Sequence, residues 1–145
     1  MNVEDTLGQA PLFSQLSRRD LKRLAKGTVV REFAKGTVIV KEGEQAVAFY
    51  LIFAGRAEVV KGLESSNPQG LSTLGPGDIF GEMALLDGYL RSASVRAVED
   101  TECLVLSRWD FVAELRTNPQ VAVGMLPIIS RRLREVEAKL AQASH

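Results

Sequence analysis

The sequence is poor in the residues on which most enzyme active sites depend. Its single histidine is His145, the last of 145 residues, and its single cysteine is Cys103. A histidine general base inside the fold, a Ser-His-Asp triad and a conventional zinc site are therefore not available. No Gly-x-x-x-x-Gly-Lys-Ser/Thr loop is present, which argues against nucleotide hydrolysis of the P-loop type. We therefore expect a binding protein, not an enzyme, with no metal and no cofactor.

The charge balance and the short apolar runs argue against two further classes of protein, those that mainly bind nucleic acid and those that span a membrane. Eighteen basic and eighteen acidic residues cancel, whereas a surface built mainly for nucleic acid would show a basic excess. No apolar run approaches a membrane span, and the N-terminus does not resemble a signal peptide. Cys103 cannot form an internal disulfide and lies in an apolar segment, where we expect a buried thiol. We expect one domain over residues 1–145, cytoplasmic, with no membrane partner and no nucleic acid contact by this chain alone.

Hydrophobic periodicity divides the chain into three parts. Residues 12–27 have helical spacing, with Ser17 as a capping residue and Gly27 as the C-terminal stop. Residues 28–107 consist of short β-branched or alternating segments separated by glycines, which is typical of a sandwich or barrel. Residues 108–142 return to helical spacing. The sequence therefore predicts a mainly β fold flanked by an N-terminal helix and by C-terminal helices.

The last helix carries a heptad pattern. Its apolar residues alternate in spacing between four and three, and Ile129, Leu133, Val136 and Leu140 form a candidate seam. β-branched residues at one core position and leucine at the other favour a parallel two-stranded coil, and hence a homodimer. The alternative is that this face packs on the strands of its own domain. Pro127 precedes the seam and should kink or restart the helix, because proline lacks an N–H and clashes one turn back.

The most informative segment spans residues 77–97. Glu82 stands at the start of a short helical run, where unpaired backbone N–H groups attract an anion, and Gly81 allows a ligand to approach the backbone. Arg91 offers a fixed positive charge with bidentate geometry, and Ser92 places a hydroxyl beside it. Glu82 can only accept hydrogen bonds, so a ribose hydroxyl is a natural donor to it. The residues alone leave two interpretations open, a site for a phosphate-bearing ligand or an ordinary Glu82–Arg91 ion pair across a loop.

This segment resembles the phosphate-binding cassette of the cyclic nucleotide-binding domain family, in the ordered runs 80–86 and 91–95. The family includes the catabolite activator protein, the regulatory subunits of cAMP-dependent kinase and the cyclic nucleotide-gated channels. Upstream glycines and strands within residues 35–55 resemble the family's as well, so the resemblance covers about residues 10–142. It implies an eight-stranded, jelly-roll-like β-barrel. We refer to residues 80–95 as the cassette.

The resemblance also implies roles for the cassette residues. Gly81 and Glu82 would hold the ribose 2′-hydroxyl of a cyclic nucleotide. Arg91 and Ser92 would hold the cyclic phosphate together with backbone N–H groups such as that of Ala84. The full set of expected ligand-binding residues is Gly81, Glu82, Met83, Ala84, Arg91, Ser92 and Ala93.

Recognition of the base is left open by the sequence. In the catabolite activator protein, adjacent threonine and serine residues on the long helix touch the adenine, and the matching places here are Val136 and Glu137. Glu137 could accept a hydrogen bond from an exocyclic amine or could face solvent. The expected ligand is therefore cAMP or cGMP, with cAMP first.

Three functions are compatible with these patterns. The first is a cyclic nucleotide-binding regulatory module that transmits binding through its C-terminal helices. The second is the sensor half of a catabolite-activator-type transcription regulator, whose helix-turn-helix is not in this chain. The third is an interaction module with a vestigial pocket, working through the seam on its last helix.

Overall fold

The computed structural model describes residues 2–82 and 84–143. Helix α1 (Val3–Gly8), a 3₁₀ turn (Pro11–Phe13) and α2 (Arg18–Lys26) precede the strands. The strands are β1 (Thr28–Phe33), β2 (Val38–Val40), β3 (Ala48–Ala54), β4 (Ala57–Lys61), β5 (Gln69–Leu74), β6 (Ile79–Phe80), β7 (Ser94–Ala97) and β8 (Thr101–Ser107). Helix α3 (Ala84–Asp87) lies between β6 and β7, and α4 (Arg108–Thr117) and α5 (Gln120–Ala143) follow the last strand.

The strands form two four-stranded antiparallel sheets. The first has the order β1-β8-β3-β6 and the second the order β2-β7-β4-β5. The expected mainly β architecture, with eight strands and flanking helices, is confirmed. Within residues 2–82 and 84–143 the ladders define two sheets and not one closed barrel, so the jelly-roll connectivity stays a prediction.

Strand β3 is buried on both faces and organises two hydrophobic cores. Because side chains alternate along a strand, Phe49 and Leu51 face the core under the helices, while Tyr50 and Ile52 face the core shared with the second sheet. The helical core also includes Phe13, whose ring lies 5.6 Å from that of Phe49 between centroids. The second core forms the floor beneath the cassette.

Helix α2 begins and ends where its capping residues predict. The Ser17 side chain accepts a hydrogen bond from the Asp20 N–H at 3.1 Å, and α2 is followed by Gly27. Helix α1 was not predicted from the sequence, because its six residues present only Leu7 as a buried side chain. Cys103 is fully buried in β8, as expected, and burial raises the pKa of its thiol to about 12.

The last helix does not restart at Pro127. It is continuous from residue 120 to 143, so a restart at Pro127 is wrong, while a kink there stays a prediction. Val121, Met125 and Ile128 on either side of the proline are buried, and this packing holds both halves of the helix although one backbone hydrogen bond is lost. Of the helices in the described part of the chain, none is both long and apolar enough to span a bilayer.

Candidate ligand-binding site

A pocket of about 480 Å³ lies between the second sheet and the cassette. Its volume is typical of small-molecule sites, which are mostly apolar with a few placed polar groups. Strand residues give the pocket an aliphatic lining that includes Val40, Val59, Ile79 and Val95. The rest of the cassette contributes Gly81, Glu82, Asp87, Tyr89, Leu90, Arg91, Ser92 and Ala93. Five of the seven residues predicted to bind the ligand thus line one cavity.

Gly81 is required by both its backbone conformation and its surroundings. Its φ is +78°, in the left-handed region that side chains disfavour. A Cβ atom at this position would overlap Nη1 of Arg91 and lie 2.9 Å from the carbonyl oxygen of Ala48. The absence of a side chain at Gly81 is therefore what admits the Arg91 guanidinium to the pocket.

The Arg91 guanidinium is held firmly but is not neutralised. Its Nη2 donates a hydrogen bond to the Ala48 carbonyl at 2.8 Å, and its Cζ lies 5.9 Å from the ring centroid of Tyr50. Burial lowers the pKa of Arg91, and the neighbouring Tyr50 acts in the opposite direction. An arginine nevertheless stays charged in proteins. Among the described residues no carboxylate pairs with it, so the pocket presents a positive charge to any ligand.

Backbone hydrogen bonds fix the segment that carries Arg91. The Arg91 N–H donates to the Glu44 carbonyl at 2.8 Å, and its carbonyl accepts from the Gly43 N–H at 2.9 Å. The Tyr89 carbonyl accepts from the Ala46 N–H at 2.9 Å. One residue further on, the Ser92 carbonyl accepts from the Lys61 ammonium at 2.7 Å. The part of the pocket lining that carries Arg91 is thus held in place from several sides by hydrogen bonds.

Glu82 pairs with a residue that the sequence did not suggest. Its Oε1 lies 2.5 Å from Nη2 of Arg132 on α5, and its side chain is only 14% exposed. Its Oε2 is buried and has no hydrogen-bond partner among the described residues. The Glu82–Arg91 ion pair, one of the two interpretations that the sequence left open, is not formed. In sequence Arg132 is one of several charges of both signs on α5, a pattern that is typical of charge pairing along a helix surface.

The remaining predicted residues are placed as follows. Met83 lies outside the described residues, and Ala84 is the first residue of α3. Val136 and Glu137 are exposed on α5 and do not line the pocket, so their contact with a base stays a prediction. In the candidate seam Ile129 packs against the core of its own domain. The exposed members of that seam are Leu133, Val136 and Leu140.

Comparison with known proteins gives the family. The family model for the cyclic nucleotide-binding domain matches residues 30–118. The chain belongs to this family. It is 37% identical over 131 residues to the cyclic AMP receptor protein of Thermus thermophilus, which corresponds to 90% of this chain and 61% of that protein.

Two other relatives show how widely the domain is used. A putative potassium channel protein of Rhodopseudomonas palustris is 34% identical over 126 residues, covering 87% of this chain and 30% of the channel protein. The N-terminal domain of a transcriptional regulator from Streptomyces coelicolor superposes with a TM-score of 0.85 at 26% identity, covering 94% of this chain and 95% of that structure. The chain spans less than two thirds of the length of the two full-length relatives.

Proposed function

We propose that this chain is a regulatory module that binds cAMP in the pocket beside the cassette and transmits binding to α5. Membership of the cyclic nucleotide-binding domain family supports a cyclic nucleotide as the ligand class. The pocket supplies the two kinds of group that such a ligand needs, a cation for the phosphate and a carboxylate for the ribose.

The unneutralised guanidinium of Arg91 is the observation that carries this proposal. A half-buried charge is costly unless something compensates it, and a fully paired structural arginine would need no ligand. Arg91 is anchored by one Nη and by the Tyr50 ring, which leaves donors directed to the cavity that it lines. A cyclic phosphate is singly charged and would accept charge-assisted hydrogen bonds there, with the Ser92 hydroxyl beside it.

Glu82 provides the proposed link between the pocket and α5. Its Oε2 is a buried acceptor without a donor from the described part of the chain, and a ribose 2′-hydroxyl would satisfy it. Its Oε1 is already paired with Arg132 on α5. A ligand that forms a hydrogen bond with the same carboxylate would therefore alter the ion pair between Glu82 and α5. A ligand shifts the position of α5 only by its difference in affinity for the two positions.

Calorimetric titration of cAMP into the Arg91→Leu variant tests the phosphate assignment. Loss of the charged donor should weaken binding by roughly 1.5–3 kcal/mol, which is about 10- to 150-fold in Kd. Arg31→Leu is the matched control, because Arg31 also lies over an aromatic ring, that of Phe33, but stands on β1 and does not line the pocket. Equal affinity of wild type and Arg91→Leu would refute the assignment.

The same titration with cGMP tests the choice of base. The strand residues that line the pocket are aliphatic, and apolar contacts favour any purine because they form no hydrogen bonds with the groups that distinguish adenine from guanine. We propose cAMP as the ligand, with selectivity over cGMP set by α5 and not by these strand residues. A phosphate-altered analogue in the competition series separates recognition of the base from recognition of the phosphate.

We also propose that α5 mediates a homodimer through its exposed apolar residues. Leu126, Leu133 and Leu140 recur every seven residues, and Leu133 and Val136 are 59% and 53% exposed. The heptad spacing of this stripe matches that of a second identical helix, which would cover it. The residues of α5 that pack on the domain itself lie in the N-terminal half of the helix and include Val121, Met125 and Ile129.

Sedimentation equilibrium of Leu133→Glu tests the dimer. A charge on the seam should convert a dimer into a monomer, because a buried unpaired carboxylate is costly. Leu71→Glu is the control, since Leu71 is an equally exposed leucine on β5. A monomeric wild type, or a dimer unaffected by Leu133→Glu, would contradict the proposal.

A second candidate function is the sensor part of a DNA-binding transcription regulator. The similarity to the N-terminal domain of a transcriptional regulator, over 94% of this chain, favours it. The reading frame of the gene tests it directly: codons for a helix-turn-helix after α5 would support this function, and another output domain there would exclude it.

A further inference from the structure

Arg108 connects the cassette to the first turn of α4. It is the first residue of that helix, and its N–H donates to the Val47 carbonyl at 2.8 Å. Its side chain lies on Gly88, where an added Cβ would be 3.2 Å from both Cδ and Nε of the arginine. Gly88 is buried and has a φ of +64°, so glycine is favoured there by conformation as well as by space. The guanidinium thus rests on the turn that follows α3.

The Arg108 guanidinium makes no side-chain hydrogen bond or ion pair to another described residue. Its Nε is buried without a hydrogen-bond partner among the described residues, and within the same part of the chain its charge enters no ion pair. An unsatisfied buried donor is unfavourable, so a rearrangement that brings an acceptor to it is favoured. This residue is not explained by the pocket, which it does not line.

Gly88 joins two parts of the cassette that are held by different contacts. Residues 89–91 are tied to residues 43–46 by backbone hydrogen bonds from both sides. The segment before Gly88 is α3, a helix of four residues whose Leu85 packs in the helical core. If a ligand held between Glu82 and Arg91 shifts α3 relative to residues 89–91, the change in backbone direction falls at Gly88.

Asp87 is the carboxylate next to this turn. It precedes Gly88, is exposed and lines the pocket. Its Oδ1 accepts a hydrogen bond from the Tyr89 N–H at 2.9 Å. Among the ion pairs of the described residues none joins Asp87 to Arg108, although the arginine lies directly on Gly88, the next residue. A change in backbone direction at Gly88 would alter the distance between this carboxylate and the guanidinium, and opposite charges attract more strongly as that distance falls.

We propose that Arg108 and Asp87 form an ion pair when the cassette closes on its ligand, and that this pair couples the pocket to α4. The proposal rests on the proposed function, because it concerns the state in which the pocket is filled. It makes Arg108 a positioning residue, which acts on the ligand through the turn at Gly88 without touching it.

A double-mutant cycle measured by cAMP calorimetry tests the pair. Asp87→Asn and Arg108→Gln should each weaken binding by about three- to tenfold, and the double variant should be no weaker than the weaker single one. Exchanging the two charges, Asp87→Arg with Arg108→Asp, should recover part of the affinity. Arg116→Gln is the control, because Arg116 is an exposed arginine at the other end of α4. Additive effects in the cycle would overturn the proposal.

Trp109 provides a second readout that a purely structural role of Arg108 would not change. It is the only tryptophan, follows Arg108 directly and is 73% exposed. Saturation with cAMP should shift its emission in wild type, and this shift should be absent in Asp87→Asn and Arg108→Gln at saturating ligand. A wild type that binds no cyclic nucleotide would overturn the proposed function and this pair together. A wild type that binds, with an emission shift unaffected by either variant, would overturn the pair alone.

Discussion

Replacing Gly81 with alanine should damage the pocket in two separable ways. The residue has a φ of +78°, and an L-residue in the left-handed region costs roughly 1–2 kcal/mol. The added methyl group would also overlap Nη1 of Arg91 and approach the Ala48 carbonyl to 2.9 Å. Because the carbonyl belongs to a buried strand, the guanidinium is the group that must move.

The magnitude follows from what Arg91 would lose. Its hydrogen bond to Ala48 involves a charged donor, a class of interaction that contributes about 1.5–3 kcal/mol. The free energy of unfolding of the Gly81→Ala variant should therefore be lower than that of wild type by roughly 2.5–5 kcal/mol, which adds the backbone cost to the lost hydrogen bond. The upper end of this range applies if no water replaces the contact with the Ala48 carbonyl. Its affinity for cAMP should fall at least about tenfold, the lower limit expected for Arg91→Leu.

Gly36→Ala separates the backbone effect from the clash. Gly36 has a φ of +90°, and nothing lies within 4 Å of an added Cβ. It should lose only the roughly 1–2 kcal/mol of backbone strain and keep its affinity for cAMP. Urea unfolding and calorimetry on both variants provide the two comparisons. Wild-type affinity in Gly81→Ala would refute the placement of Arg91 against Gly81.

Two further predictions concern the buried side chains. Phe13→Ala should cost about 3–5 kcal/mol in urea unfolding, because Phe13 is fully buried between Phe49 and Phe111; a loss no larger than that of the exposed Leu71→Ala would contradict this packing. The Cys103 thiol should resist thiol reagents near neutral pH until the chain unfolds, since burial raises its pKa to about 12. The buried, protonated thiol contributes fully to stability below pH 9.0, the ordinary pKa of cysteine. Between pH 9.0 and about 12 the unfolded chain loses the thiol proton while the folded chain keeps it. Stability should then fall by at most about 1.4 kcal/mol per pH unit relative to Cys103→Ala, and an equal pH dependence of the two proteins would contradict the assignment.

The features that the sequence predicts well are those set by local pattern. Alternation and glycine turns between residues 28 and 107 predict a mainly β architecture, and β3 is buried as its unbroken apolar run indicates. Ser17 caps α2 as predicted, because the cap requires only a hydrogen bond from the backbone N–H of Asp20, three residues along the chain. The cassette is found because its glycine, carboxylate and arginine are spaced within one short segment.

The features that escape prediction depend on contacts between distant residues. Arg132 is separated from Glu82 by fifty positions, and in sequence it is one of several charges on a helix. Strand β6 has two residues and is defined only by its pairing with Tyr50 and Leu51. The continuity of α5 through Pro127 depends on packing against the core, which outweighs the local preference of proline. Arg108 has no recognisable motif, since its significance comes from lying on Gly88.

Calorimetric titration of cAMP into the wild-type protein is the most direct test of the central claim. Saturable binding of one cAMP per chain, with 5′-AMP binding much more weakly, is the predicted result. It would agree with a pocket that holds a cyclic phosphate on Arg91 and a ribose hydroxyl on Glu82. The absence of heat and of competition with both cAMP and cGMP would contradict the account, and the chain would then be a family member with an empty pocket.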